Sequence, residues 1–200
     1  MKKILLLASL ATMTSVFAEV IDLTPEEIQQ VKGGKDIVKS EEVRGAPLPR
    51  VRIYTFVKAP VEVIEFVFRD YENSHKYVPG VIKATIVSQP HPDTYIVQTI
   101  SKVPVVGTSK STVKNVFHKK GHAIVVDWTL VESDQAAESK GQLCAEPTEG
   151  GSIMRYTNFL KPKITLGASL LRSSALKEVE KNVAALKAES ERKAKEMNSE

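Results

Sequence analysis

The sequence predicts an α+β fold, a curved antiparallel sheet wrapped around a long C-terminal helix. Three observations lead there. One strand-like run and a short helical stretch are followed by six strand-like runs at regular intervals between Val81 and Leu160. The connections between those runs are short, so neighbouring strands are antiparallel. A sheet of this kind needs cover on its inner face, and only the helix pattern after Pro162 is long enough to give it. Function is therefore expected on the inner face.

The first eighteen residues stand apart from this fold. Lys2 and Lys3 precede an apolar stretch from Ile4 to Leu10, and Val16 and Ala18 occupy the small-residue positions before a cleavage site. This is the pattern of a secretory signal cut after Ala18, and the chain is expected to be periplasmic or secreted. As an uncleaved anchor helix the stretch is short and interrupted by Thr and Ser. No Cys follows it to take a lipid anchor. Loss of Lys2 and Lys3 lowers the formal charge from +4 toward neutrality. With no clustered basic face, nucleic acid is not an expected partner. Cys144 is the only cysteine, so no internal disulfide forms and the fold rests on its core.

Each element has its local reason. Thr24 as N-cap, Pro25 at the first helical position and Glu27 three residues on make a capping box, with Leu23 and Ile28 at the staple positions and Gly33 and Gly34 as the stop. Residues 19–49 form this helix and a connector holding one strand around Ile37 and Val38, an extension rather than a domain. Val51 to Val57 alternates, with Val51, Ile53 and Val57 on one side and Tyr54 and Phe56 on the other. The helix after Pro60 carries Glu62, Glu65 and Arg69 on a narrow stripe and is expected to be deeply buried. Tyr71 to Gly80 is a polar turn. The strands follow at Val81–Ser88, Tyr95–Val103, Ser109–His118, Ala123–Glu132, Ala137–Ala145 and Ser152–Leu160, broken by Pro, Gly and Ser-Asp turns. Leu171, Ala175, Val179, Val183 and Leu186 then mark one helix face. The main domain spans 50–190, and 191–200 is a solvated, charged tail.

Strand parity says which residues look inward. Ile124, Val126, Trp128 and Leu130 share a face, as do Met154, Tyr156, Asn158 and Leu160. Lys110 and Lys114, and Glu138, Lys140 and Gln142, mark outward faces, which leaves Ser111, Val113, Asn115 and Phe117, and Ser139, Gly141, Leu143 and Ala145, pointing in. Several of these are too small to fill a core at crystal-like density, so a cavity edged by a few hydrogen-bonding groups is expected. The ligand-binding candidates are Asn115, Phe117, Trp128, Leu143, Met154, Tyr156, Asn158 and Leu170, the last opening the final helix with Leu166. Trp128 and Tyr156 serve equally well as plain core aromatics.

Catalytic groupings are thin. Asp70, Glu72 and His75 lie close in a turn, where polar residues are solvated, and His118 and His122 flank a hairpin turn at a spacing that suits metals only on a helix. Cys144 faces outward. No catalytic residue, metal site or cofactor is assigned.

The order of elements, with DYENSHKYVPGV at Asp70–Val81 and GQLCAEPTEGGSIMRYTNFLKP at Gly141–Pro162, resembles the START-like (SRPBCC) superfamily of lipid-transfer, polyketide cyclase and coenzyme Q-binding proteins, and within it the exported bacterial members. The resemblance covers roughly Val51 to Leu186. It implies a helix-grip fold with a tunnel for an apolar ligand between sheet and last helix. The aromatic common early in the first helix of that family is here Val63 or Ile64. The expected protein is a monomeric carrier of a lipid or other apolar small molecule, meeting membranes transiently and doing no covalent chemistry. The alternatives are a cyclase or aromatase, which needs an acid/base pair inside, and an interaction module with a vestigial cavity, whose interior would collapse with Trp128 and Tyr156 against Val179 and Val183.

Overall fold

The computed structural model describes residues 21–103, 107–163 and 168–199, and of 168–170 the backbone alone. The elements run α1 (Pro25–Lys32), β1 (Ile37–Glu41), β2 (Arg50–Val57), α2 (Val61–Arg69), β3 (Val81–His91), β4 (Thr94–Val103), β5 (Gly107–Lys120), β6 (Ala123–Ser133), β7 (Ala136–Thr148), β8 (Gly151–Pro162) and α3 (Ala168–Met197). One eight-stranded antiparallel sheet has the order β1-β2-β8-β7-β6-β5-β4-β3. The helix-grip architecture is therefore present, with one strand more than the main domain alone supplies. β1 pairs with β2 in register from Ile37↔Tyr54 to Glu41↔Arg50, so the N-terminal extension is built into the sheet.

The two faces of the sheet hold separate cores, as the period of two requires. On the inner face, Val51, Ile53, Phe117, Val126, Leu143 and Met154 pack with Val63, Ile64 and Val67 of α2 and Val179, Val183 and Leu186 of α3. On the outer face, Tyr54, Val125, Cys144 and Ile153 are covered by Ile21, Leu23 and Val31. The strap from Ile21 through α1 is held by its capping box, in which the Thr24 amide donates to Glu27 Oε2 at 2.9 Å and Thr24 Oγ1 accepts from the Glu27 amide at 3.2 Å. It is tied down by Asp22, which accepts from Tyr54 Oη at 2.9 Å and Arg155 Nη1 at 2.8 Å.

Three local expectations change. The charged end is helical: α3 continues through Met197, burying Ser190 and Ala194 while Arg192 and residues 195–199 stay exposed. Its large apolar residues give way to Ala and Ser because α2 and β2 approach closely there. The Lys58 amide donates to Glu191 at 3.0 Å and Lys187 Nζ to buried Thr55 Oγ1 at 3.2 Å. β3 runs past Ser88 through Pro90 to His91. It is an edge strand with register shifts at Ile86/Ser88 and Ser88/His91, where a residue lacking N–H is tolerated. Phe66 of α2 is 54% exposed, because it falls on the same stripe as Glu62 and Arg69.

One close approach governs the sheet. A Cβ on Gly141 would sit inside the van der Waals radii of Trp128 Cζ2 and the Thr157 carbonyl oxygen, so the indole of Trp128 depends on that residue being glycine. Gly141→Ala should cost about 3 kcal/mol or more, the upper range for overpacking, measured as a lower urea midpoint at unchanged m-value.

A second expectation concerns the strap. Burial pushes the Asp22 carboxyl up, but the hydrogen bonds from Arg155 and Tyr54 outweigh it and leave the group below its ordinary 3.8. A carboxylate lowered on folding stabilises fully above its unfolded value, and the contribution disappears as pH falls through the lower folded value. Burial also pushes the Cys144 thiol beneath the strap up to about 12. Dithiodipyridine should therefore label Cys144 slowly at pH 5 in the unaltered protein, faster as pH falls below 3.8, and fast already at pH 5 in Asp22→Ala. Equal rates at pH 5 would detach Asp22 from strap docking.

Candidate functional site

The inner face divides along a single cross-strand row. Tyr95 pairs with Asn115, Asn115 with Trp128, Trp128 with Gly141, Gly141 with Asn158, and Asn158 with Val51. One row further toward the ends of β5 and β7, Phe117, Val126, Leu143, Tyr156 and Ile53 are likewise in register. This half is filled by rings. Trp128 and Tyr156 centroids lie 4.9 Å apart, Phe68 of α2 stands 6.2 Å from Trp128 and 6.1 Å from Phe117, and Tyr95 meets Phe117 at 5.7 Å and Tyr71 at 5.7 Å. Edge-on and offset pairs at such spacing add about 0.5–1.5 kcal/mol each beyond area burial. The Arg69 guanidinium lies 3.9 Å from the Phe117 ring centroid and donates to Glu65, Asp93 and Tyr95 Oη at 2.8–3.0 Å, pinning α2 to the β3–β4 end.

On the other side of the row the inward side chains become small. β5 offers Val113 and Ser111, β7 offers Ser139, and α3 offers Ser174 and Ala175 in the same space. They leave a cavity of about 1110 Å³ between sheet and helix. Its aliphatic walls include Val81, Val103, Leu130, Leu160, Leu171 and Val179, and the connector before β2 closes one side with Leu48 and Pro49. Hydroxyls and amides are interspersed: Ser101, Ser109, Ser111, Ser133 and Ser139 on the sheet, Ser173, Ser174 and Asn182 on the helix, and Asn158 at the dividing row.

Of the ionic groups in the described lining, Glu42, Arg172 and Glu178 are held in ion pairs. Arg172 makes a bidentate pair with Glu42 at 2.7 and 2.8 Å while its Nε donates to the Pro47 carbonyl at 2.8 Å, clamping α3 to the connector. The pair holds the Glu42 carboxyl below its ordinary range and raises the guanidinium. Glu178 accepts from Lys181 at 2.9 Å. At the aromatic end, burial pushes the phenols of Tyr71 and Tyr77 upward and that of Tyr156 to about 12, so each is a neutral group at physiological pH.

Of the eight residues singled out by parity, Asn158 lines the cavity directly. Asn115 and Trp128 stand in the dividing row. Phe117, Leu143 and Tyr156 form the filled row behind it, and Met154 lies one row deeper, paired with Ala145. These six lie outside the cavity lining, because on their side of the row aromatic side chains fill the space that smaller ones leave open beyond it. The Leu170 side chain and Leu166 lie outside the described residues. Trp128 and Tyr156 do share a cluster with Val179 and Val183, as a collapsed interior would have, yet the open half keeps its volume. Missed were the connector residues Glu42, Leu48 and Pro49 and the helix residues Arg172 and Asn182. Asn182 adjoins Val183 on α3, and its polar character beside an apolar stripe was the available signal.

The weaker chemical groupings are structural. His75 Nδ1 is 2.7 Å from the Glu72 carbonyl, and Asp70 accepts from Asn73 at 2.8 Å, so that turn is closed on itself. His118 meets Asp127 at 3.6 Å on the outer face. Among the described residues no three His, Cys, Asp or Glu side chains gather as a metal cluster. Nor is any described helix long and apolar enough to cross a membrane.

No family model and no curated protein matches this sequence. Solved structures do. The chain is similar to the STAR-related lipid transfer protein of Xanthomonas axonopodis, with TM-score 0.71 at 19% identity over 78% of this chain and 93% of that one. It is also similar to human StAR-related lipid transfer protein 5, with TM-score 0.66 at 12% identity over 84% and 92%. The aromatase/cyclase Zhui from a Streptomyces species gives TM-score 0.60 at 16% identity over 73% and 93%. The chain thus has the START-like helix-grip fold, shared by neighbours named for lipid transfer and for cyclisation.

If the open half is the binding space, filling it should remove binding without disturbing the fold. Ala175→Trp should reduce uptake of a fluorescent fatty-acyl probe at least tenfold, with the thermal midpoint unchanged or raised. Unaltered uptake with the indole in place would move the site elsewhere.

Proposed function

We propose that this protein is an exported carrier that holds a lipid or other apolar small molecule in the cavity between sheet and α3, without covalent chemistry. The observation that carries the reading is the cavity itself, about 1110 Å³ of aliphatic wall beside the packed rings. Its volume lies at the top of the ~300–1,000 Å³ usual for drug-sized ligands, which suits a long chain better than a compact metabolite. Burying about ten methylenes at about 0.8 kcal/mol each gives about 8 kcal/mol before entropy and ordering costs. That is micromolar at most, tight enough to extract a lipid and loose enough to release it.

The state of the ionisable groups in the described lining argues in the same direction. The lining's Glu42 and Arg172 are consumed by one another at the rim, and the phenols beyond the dividing row hold their protons. A cyclase needs a base aimed at a substrate carbon. The leader ending at Ala18 supplies the export, the chain acts as a monomer, and loading takes place in transient contact with a membrane. Neighbours named for lipid transfer support this reading, while the Streptomyces aromatase/cyclase keeps enzymatic turnover as the alternative.

The test is native mass spectrometry of the protein purified from its own host envelope, followed by extraction and identification of what it releases. The expected result is a polypeptide beginning at Glu19 with a lipid or isoprenoid at near-stoichiometric amount. A full-length polypeptide would overturn cleavage after Ala18. An empty protein that also takes up nothing from a lipid panel would overturn carriage and favour an interaction module.

A further inference from the structure

Resting on the carrier reading, we propose that the cavity selects an uncharged aliphatic lipid with a free hydroxyl, of the acylglycerol or long-chain alcohol class, over anionic phospholipids and flat aromatic molecules. Three features of the lining lead there.

The first is what the walls are made of. Every aromatic ring of the inner core lies in or behind the dividing row, and the described lining of the cavity contains none. A flat polycyclic ligand is recognised by stacking on ring faces. Val, Leu and Ala walls instead offer non-directional contact, which suits saturated or branched chains.

The second is the state of the charges. Phosphate recognition calls for a guanidinium with free donors, or for ammonium groups sheltered from water. Arg172 spends its Nε on the Pro47 carbonyl and both terminal nitrogens on Glu42. Lys102, the other cation of the described lining, is exposed, where solvent screens it. Glu42 and Glu178 are paired with Arg172 and Lys181, so the lining presents no net positive field from these groups. A phosphate entering here finds no unspent buried cation among the described residues.

The third is the polar inventory. The hydroxyls of Ser101, Ser111, Ser139 and Ser174 can each both donate and accept, and the amides of Asn158 and Asn182 do the same through separate atoms, whereas the Ser133 hydroxyl already accepts from the Gln135 and Ala136 amides. Asn182 Oδ1 is buried and finds no donor among the described residues. An unmet acceptor is satisfied by a ligand that brings a proton, as a hydroxyl does and a phosphodiester does not. A neutral head group with one hydroxyl matches this set.

Dioleoylglycerol and dioleoylphosphatidic acid have the same two chains and differ by the phosphate, so the pair isolates the head group. The delipidated mature protein is incubated with phosphatidylcholine vesicles holding both in equal amount, reisolated, and its lipid identified by mass. Dioleoylglycerol should be recovered in at least tenfold excess over phosphatidic acid and over phosphatidylcholine. Acetylating the free hydroxyl should lower its recovery about fivefold to tenfold, the usual worth of one or two hydrogen bonds. In the Asn182→Leu variant that preference should fall toward unity. Should this variant fail to fold, the acetylated lipid on the unaltered protein still decides the point. Equal or greater recovery of phosphatidic acid or phosphatidylcholine, tighter binding of a trihydroxyanthraquinone, or indifference to acetylation would each overturn the inference while leaving carriage standing. Recovery of no lipid at all would overturn both.

Discussion

Trp128 lies across the place where Gly141 has no side chain, and this contact sets the geometry of the inner face. It lets the largest side chain of the sheet reach Tyr156 at 4.9 Å and Phe68 of α2 at 6.2 Å without distorting β7. The rings then bridge sheet and helix at one end. The cavity opens beyond that block, where the inward side chains become serines and where the β6–β7 ladder, in register from Ile124↔Ala145 to Thr129↔Lys140, has ended.

Stability and binding are divided accordingly. Aromatic packing, the Arg69 anchor, the α2–α3 contact and the outer-face core under α1 hold the fold independently of the open half. The N-terminal strap covers the outer face with Ile21, Leu23 and Val31, so the sheet is dry on both sides at β2, β8, β7 and β6. A cysteine in that outer core can stay a thiol even in an oxidising compartment, because Cys144 is enclosed and its proton is held to about 12.

Much of this was legible in the sequence. The period of two placed Ser111, Val113, Asn115 and Phe117, and their counterparts on β6, β7 and β8, on the inner face, and the capping box located α1. Parity could not say where along each strand the filled half ends. That depends on cross-strand register, which places Asn115, Trp128, Gly141 and Asn158 in one row although their sequence positions have no common spacing. The burial near the end of α3 was hidden for a related reason. Hydrophobic pattern finds large side chains, whereas here small ones, Ser190 and Ala194, are buried by close approach. The connector around Leu48 reads as a loop and becomes a wall only because the Arg172–Glu42 clamp holds it against α3.

The size of the cavity limits what it can be. The cavity is partly open to solvent, so it stands filled rather than as an enclosed dry void, which at this volume would exceed the stability of a domain. The space therefore has to be occupied in the native protein, by water against the serines and amides or by a ligand along the aliphatic walls. Those polar groups make the unloaded state tolerable, since buried water is retained where it finds about three partners. Loading then exchanges water held by scattered hydroxyls and amides for a chain that satisfies the aliphatic walls and a head group that replaces the lost hydrogen bonds. An interior of large aliphatics alone would collapse, and one of charges would retain its water. The mixture of Val and Leu with Ser and Asn stands between these limits, which is the condition a reversible carrier has to meet.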